Sequence, residues 1–393
     1  MAGKSVLIRN AEIYTPYEHI RRGFILVEEG VIKAIGKESY SGSRNGLEEI
    51  DLDGRIIGPG LIDTHIHGLY GYDTMDARQE SFIEMSRILP RYGVTSFIPS
   101  TVTSPHEILL NVSKAFKSAY DAWNPSMGAR LLGLHLEGPY INVEKAGAQN
   151  KEFIRKPSIE EFMQYYEESG RLIREITVAP EIEGALEFIR HVSSLGVVVQ
   201  IGHTNATYEE ALNGVLAGAR KATHLFNGMR GIHHREPGVV VALMSSKSVF
   251  LELITDFIHV RPEMIRFVID YAGVDRITMI TDAISATGLQ DGEYELGGLK
   301  IIVRNGVSRL ANTGGLAGST LTMDRGFRNV VSLGYSVGEA FAMASTNPAR
   351  AVYADKDPGI GMLKPGFKAD MVVLNDRLEV VATIIEGHIV YSR

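Results

Sequence analysis

The chain has 393 residues, 45% of them hydrophobic and 22% charged, with a net charge of −7 and no cysteine. Those values suit an ordinary soluble globular protein, with room for one large barrel and a smaller appendage. They exclude disulfides and thiolate metal sites, and an acidic balance without a basic run speaks against nucleic acid as a partner.

Met1 to Asn10 carries too short an apolar stretch for a signal peptide, and no run of about 18 uncharged apolar residues occurs. The expectation is a cytoplasmic protein with no membrane span. Residues 1–57 read as short strands at Val6–Ile8, Phe24–Val27, Val31–Ile35 and Ile50–Leu52, with a turn at Glu28-Glu29-Gly30. The far end has the same texture: Met371–Leu374, Val380–Ile385 and His388–Tyr391, the last two joined at Glu386-Gly387. Residues 1–57 and 360–393 are therefore expected to build one small β-sandwich from both termini.

Residues 58–359 alternate strand-like runs with helical patterns, as βα units do. Strands are expected to end near His67, Ser100, Glu137, Pro180, His203, His224, Thr255 and Asp282. Eight such units are the count for a (β/α)8 barrel of TIM type. Thr207 to Glu210 reads as a capping box, and Glu183–Leu195 has helical apolar spacing. Leu289–Arg309 is expected to be a β-hairpin insertion after the last strand.

In a βα barrel the chemistry sits at the C-terminal strand ends. The run Ile56 to Gly68 passes through Gly58-Pro59-Gly60 into a strand ending His65-Ile66-His67. Alternation puts Asp63, His65 and His67 on one face, where two imidazoles can close on one metal and Asp63 can orient one of them. Leu131 to Pro139 likewise aligns His135 with Glu137, and later strands end in His203, His224 and Asp282.

Taken singly, each has a plainer explanation. A strand-end histidine is often just hydrogen-bonded, Glu137 could be an ion-pair partner, and Asp282 could cap a helix. Taken together, His65, His67, Glu137, His203 and His224 suit one divalent ion or a pair bridged by Glu137. Zinc or iron leads among the ions that histidine and carboxylate accommodate. Asp282 then stands as general base toward a metal-activated water and as acid toward a leaving amine, which describes amide hydrolysis.

These motifs resemble the amidohydrolase superfamily and, within it, the N-acetylglucosamine-6-phosphate deacetylase family. The segments that carry the resemblance are Pro59 to His67, His135 to Pro139, Gly202-His203-Thr204, Thr223 to Met229, Arg235 to Gly238 and Thr281-Asp282-Ala283. The resemblance implies hydrolysis of the acetamide of N-acetylglucosamine 6-phosphate to acetate and glucosamine 6-phosphate. It also implies that Asn227, the Gly228 backbone, His259 and Arg235 hold the sugar phosphate. Arg235 would reach the neighbouring subunit's site in a homodimer. Gln149, where some members have histidine, would meet a sugar hydroxyl, and Leu316 in the Gly-rich segment Gly314 to Thr320 would pack on the acetyl methyl. Another amidohydrolase activity, such as that of a cyclic amidase or deaminase, and a non-catalytic barrel are the alternatives. Glu137 stands where many cyclic amidases carry a carbamylated lysine, which argues against them.

Overall fold

The computed structural model describes residues 5–393. Met1 to Lys4, the first four residues of the segment read for a leader, lie outside it. No helix among the described residues is long and apolar enough to cross a membrane.

Both chain ends meet in one continuous sheet. Ser5–Tyr14 pairs with His19–Glu28, which pairs with Val31–Lys37, while Leu47–Asp51 and Ile56–Pro59 run parallel to Ser5–Tyr14. Ile56–Pro59 in turn pairs antiparallel with Met371–Leu374, and Val380–Ile385 and His388–Ser392 complete the order. The hairpin turns follow from local chemistry. Glu29 and Gly30 have φ of 52° and 73°, and Glu386 and Gly387 have 46° and 78°. Two successive positive φ values match the strands' right-handed twist. Val6, Ile8, Ile13, Ile25, Ile57, Met371 and Ile384 form the sheet's own apolar cluster.

Eight further strands, here β1 to β8, are Leu61–Ile66, Val94–Pro99, Leu134–Glu137, Ile173–Val178, Val198–Ile201, Lys221–Ala222, Phe250–Ile254 and Ile277–Ile280. β3 to β8 pair in parallel in chain order, and β1 pairs in parallel with β2. Parallel bridges Ser100–His135 and Ile66–Ala283 join the two sets, so the strands run round a barrel. Helices fill the connections. The one after β5, Tyr208–Ala217, opens on the expected capping box, with Thr207 Oγ1 accepting from Glu210 N–H and Glu210 returning the bond to Thr207 N–H. The helix expected over Glu183–Leu195 spans Ala185–Ser194.

Two differences from the sequence expectation bear on the site. The insertion after β8 is not a hairpin but a three-stranded antiparallel sheet, Gly292–Leu296, Leu299–Arg304 and Val307–Leu310. Alternation in β1 also fails: its pairing with β2 slips between Asp63 and Ile66. Thr64, expected on the face away from His65, bonds the ring-interior Lys221 instead, with its hydroxyl 3.1 Å from Nζ.

The chain passes from the terminal sheet into the barrel at Gly60, and there it has no room for a side chain. A Cβ at Gly60 would lie 2.2 Å from both Cγ2 and Oγ1 of buried Thr95. Gly60→Ala is expected to cost about 1–3 kcal/mol through overpacking. The measurement is the urea midpoint, and an unshifted midpoint would show that this crossing is not close-packed.

Candidate metal and substrate site

The ligand candidates sit at or just past the strand ends, and the backbone there is held in an uncommon conformation. His203, His224 and Asp282 follow β5, β6 and β8 by two residues and have φ of 46°, 25° and 52°. Such left-handed residues persist only where the surroundings over-determine them. Here the backbone bonds do so: Asp282 N–H donates to His65 O at 2.9 Å, and Ser319 N–H to Asp282 O at 2.7 Å.

The side chains converge. Glu137 Oε1 lies 2.9 Å from His224 Nε2 and 3.3 Å from Nε2 of both His203 and His65, and its Oε2 lies 3.4 Å from His67 Nε2. Asp282 Oδ1 is 3.1 Å from His67 Nε2 and 3.6 Å from His65 Nε2. Two triads result, His65 with His67 and Asp282, and Glu137 with His203 and His224. In each, all ligand atoms lie within 4.8 Å of one another.

The far nitrogen of three rings settles which atom faces inward. His67 Nδ1–H donates to Ser100 O at 3.0 Å, and His203 Nδ1–H to Lys145 O at 2.8 Å. A carbonyl can only accept, so these Nδ1 atoms carry the protons. His65 Nδ1 meets Glu252 Oε2 at 3.2 Å in the same way. Neutral rings so held aim bare Nε2 lone pairs at carboxylate oxygens, acceptor against acceptor. His65 Nε2 is buried without any hydrogen-bond partner among the described residues. Protons or cations alone reconcile such a cluster, and its nitrogen and oxygen donors fit one or two divalent cations.

Electrostatics agree. Burial opposes the charge on Glu137, yet the imidazoles, His65 foremost, hold its carboxyl well below the ordinary range. Burial likewise opposes charge on His67 and His203, while Asp282 and Glu137 respectively raise them.

Residues 56–390 match the model of the amidohydrolase family. The chain belongs to the amidohydrolase family. Within that family it is similar to the N-acetylglucosamine-6-phosphate deacetylases of Vibrio furnissii and Bacillus subtilis. It is 38% identical to the first over 367 residues, which covers 93% of this chain and 90% of the relative. The second is 37% identical over 401 residues, covering 99% and 98%. It is also 39% identical over 376 residues to N-acetylgalactosamine-6-phosphate deacetylase of Escherichia coli O157:H7, covering 94% and 98%. Among solved structures it resembles a mutant N-acetyl-D-glucosamine-6-phosphate deacetylase from Mycobacterium smegmatis in complex with N-acetyl-D-glucosamine 6-phosphate. The TM-score is 0.92 at 34% identity, over 99% of this chain and all of that one. An enamidase at 18% identity shares the fold, with a TM-score of 0.65. The amidohydrolase family membership makes this chain a metal-dependent hydrolase, built as a TIM-type barrel with a small domain.

A cavity of about 130 Å³, partly open to solvent, adjoins the cluster in this amidohydrolase. His67, Glu137, His203, His224 and Asp282 form its floor, and Gln149, Asn227, Gly228, His259, Leu296 and Leu316 stand around it. Asn227 donates to His224 O and Leu225 O at 3.2 and 3.3 Å. Gly228, at φ 60°, could not be another residue: a Cβ there would lie 2.9 Å from His203 Nδ1. His259 Nδ1 meets Asp256 Oδ2 at 2.7 Å, which raises its pKa against the effect of burial.

Two residues, Asp63 and Gln149, make other contacts than the sequence suggested, while His135 and Arg235 stand behind and outside the cluster. Asp63 touches neither imidazole ring: its oxygens accept from the His65 and Thr281 backbone N–H groups and from the Thr281 hydroxyl, tying β1 to β8. His135 lies beside His65, ring centres 4.7 Å apart, and bonds the hydroxyls of Ser100 and Thr177. Gln149 spans Glu137 and the backbone, its amide donating to Glu137 Oε2 at 2.5 Å and its carbonyl accepting from Thr103 N–H at 2.6 Å. Arg235 is exposed, away from the cavity, with Nη1 2.7 Å from His234 Nε2.

Sequence reasoning missed Glu252, which meets His65, and Leu296, which the three-stranded insertion brings to the cavity. The signal for Glu252 was there: a lone carboxylate in the apolar run Val249 to Ile254 must be paired if that run is a buried strand. Nothing local marks Leu296.

Proposed function

We propose that the chain hydrolyses the acetamide of N-acetylglucosamine 6-phosphate, giving acetate and glucosamine 6-phosphate. The observation that carries this reading is the convergence of four imidazoles on Glu137, with Asp282 against His67, at the floor of a cavity open to solvent. Its full-length relatives of known activity support it. His65, His67, Glu137, His203 and His224 hold one or two divalent cations, zinc or iron. A cation bound there supplies an acidified water and a polarised acetyl carbonyl. Asp282 takes up the proton of the attacking water on its carboxylate and returns it to the sugar nitrogen as the C–N bond breaks. Burial opposes charge on Asp282, but the adjacent His67 and His65 keep its carboxyl below the usual range and so ionised.

Asn227, the Gly228 backbone and His259 hold the sugar phosphate, and Leu316 packs on the acetyl methyl. Gln149 acts on substrate only after leaving Glu137. Arg235, exposed and clear of its own cavity, serves the neighbouring subunit of a homodimer. The whole is a (β/α)8 barrel over residues 58–359. Residues 1–57 and 360–393 form the small domain, built on one continuous sheet rather than the expected β-sandwich, and the protein works in the cytoplasm.

Acetate release from N-acetylglucosamine 6-phosphate, before and after chelation, with metal analysis of the same sample, tests the reading. Ammonia release, or no acetate from any amino-sugar phosphate, would overturn it. The Escherichia coli relative favours N-acetylgalactosamine 6-phosphate as a second candidate, and faster release from that epimer would select it. Arg235→Ala is expected to raise KM at least about tenfold for the phosphorylated sugar, a loss near 1.4 kcal/mol. The same change should leave unphosphorylated N-acetylglucosamine almost unaffected. Equal effects on both sugars would remove Arg235 from phosphate binding.

A further inference from the structure

Beneath the ligand cluster lies a set of charges that the mechanism above does not use. Glu175 on β4, Lys221 on β6 and Glu252 on β7 are fully buried inside the barrel. Lys221 Nζ donates to Glu175 Oε1 at 2.5 Å and pairs with Glu252 Oε1 at 2.8 Å. The other oxygen of Glu252 accepts from His65 Nδ1–H at 3.2 Å and from the His224 backbone N–H at 3.0 Å. Stability does not account for this arrangement, because desolvating each ion costs several kcal/mol and apolar replacements of such sets are often neutral or better.

We propose that Glu252, oriented by Lys221, is a positioning residue that fixes the His65 tautomer and the His224 backbone so that both Nε2 atoms face the cation site. The inference rests on reading His65 and His224 as cation ligands.

The argument is a matter of donors. Every group that touches Glu252 donates: an ammonium on one oxygen, an imidazole N–H and a peptide N–H on the other. Only a carboxylate accepts on both sides. A glutamine would have to turn its NH2 either onto the ammonium or onto His65 and His224. In the second case His65 escapes the clash by moving its proton to Nε2, and the lone pair that a cation needs is gone. Lys221 thus acts at a distance, holding an acceptor where His65 requires one.

The test is zinc affinity of the metal-stripped full chain, measured by chelator competition, with far-UV circular dichroism as the control for folding. Glu252→Gln is expected to bind zinc about 10–100-fold more weakly than wild type at unchanged dichroism. The triple variant Glu175→Gln/Lys221→Met/Glu252→Gln removes the ammonium, so the amide can turn its oxygen to His65. It is expected to recover affinity to within about threefold of wild type, since both donors regain an acceptor. Wild-type affinity in Glu252→Gln, or a triple variant as weak as the single one, would overturn the proposal. If Glu252→Gln does not fold, the uncharged triple variant decides alone: near-wild-type affinity supports the proposal and weak binding overturns it. A wild-type chain that binds no cation would instead overturn the site reading underneath.

Discussion

Asp282→Asn is expected to lower kcat on N-acetylglucosamine 6-phosphate by roughly 10²–10⁴-fold, the range for losing a positioned proton-transfer group. KM and cation content should change little. The geometry gives the reason. Asp282 Oδ1 is 3.1 Å from His67 Nε2 at the cavity floor, while His203 and His224 close on Glu137 without it. An amide of the same shape keeps the left-handed turn at residue 282 but cannot take up a proton. Single-turnover kinetics with metal analysis would check this. Turnover within tenfold of wild type would remove Asp282 from proton transfer, and loss of the cation along with activity would make it chiefly a ligand.

Glu137→Gln is expected to be more severe, because it changes the group on which all four imidazoles close. Gln149 already donates to Glu137 Oε2 at 2.5 Å, so an amide at this position must turn its oxygen there. Its NH2 then points at Nε2 of His65, His203 and His224, where the carboxylate oxygen had been 2.9 to 3.3 Å away. Charge and lone pairs both disappear from the centre of the cluster. Cation affinity should fall at least about 100-fold, beyond the usual effect of an outer partner. Chelated wild type should regain activity when a divalent cation is restored, whereas Glu137→Gln should not. Binding a cation at 1,000 times its Kd stabilises the fold by about 4.1 kcal/mol. The thermal midpoint should therefore drop on chelation of wild type and stay put in the variant. A variant that keeps both its cation and that thermal response would refute the central role of Glu137.

What the sequence made legible was whatever depends on local order. The terminal strands at Met371–Leu374 and Val380–Ile385 lie where apolar alternation and the Glu-Gly turn put them. The capping box at Thr207 formed because its bonds span three residues. The ligand candidates were readable for a related reason. Parallel strands of a βα barrel carry the groups at their C-terminal ends to one mouth, so a histidine there has few other neighbours to choose. What could not be read depends on contacts between distant segments. Asp63 was expected to hold an imidazole, but the slipped pairing of β1 gives it to Thr281, 218 residues away. Glu252 took that role for His65 from 187 residues away. Gln149 turned toward Glu137 because an ionised carboxylate outcompetes open cavity for an amide donor.

The crossing at Gly60 carries a consequence for synthesis on the ribosome. Ile56–Pro59 runs directly into the strand bearing His65, and its partner on one side is Met371–Leu374. While the chain is being made, that edge stays open until Met371–Leu374 has been translated. The nascent protein therefore carries an exposed, apolar template for strand pairing until that distant segment emerges. A ribosome that stalls late would release a chain with every ligand side chain present but the seam beneath them unsealed.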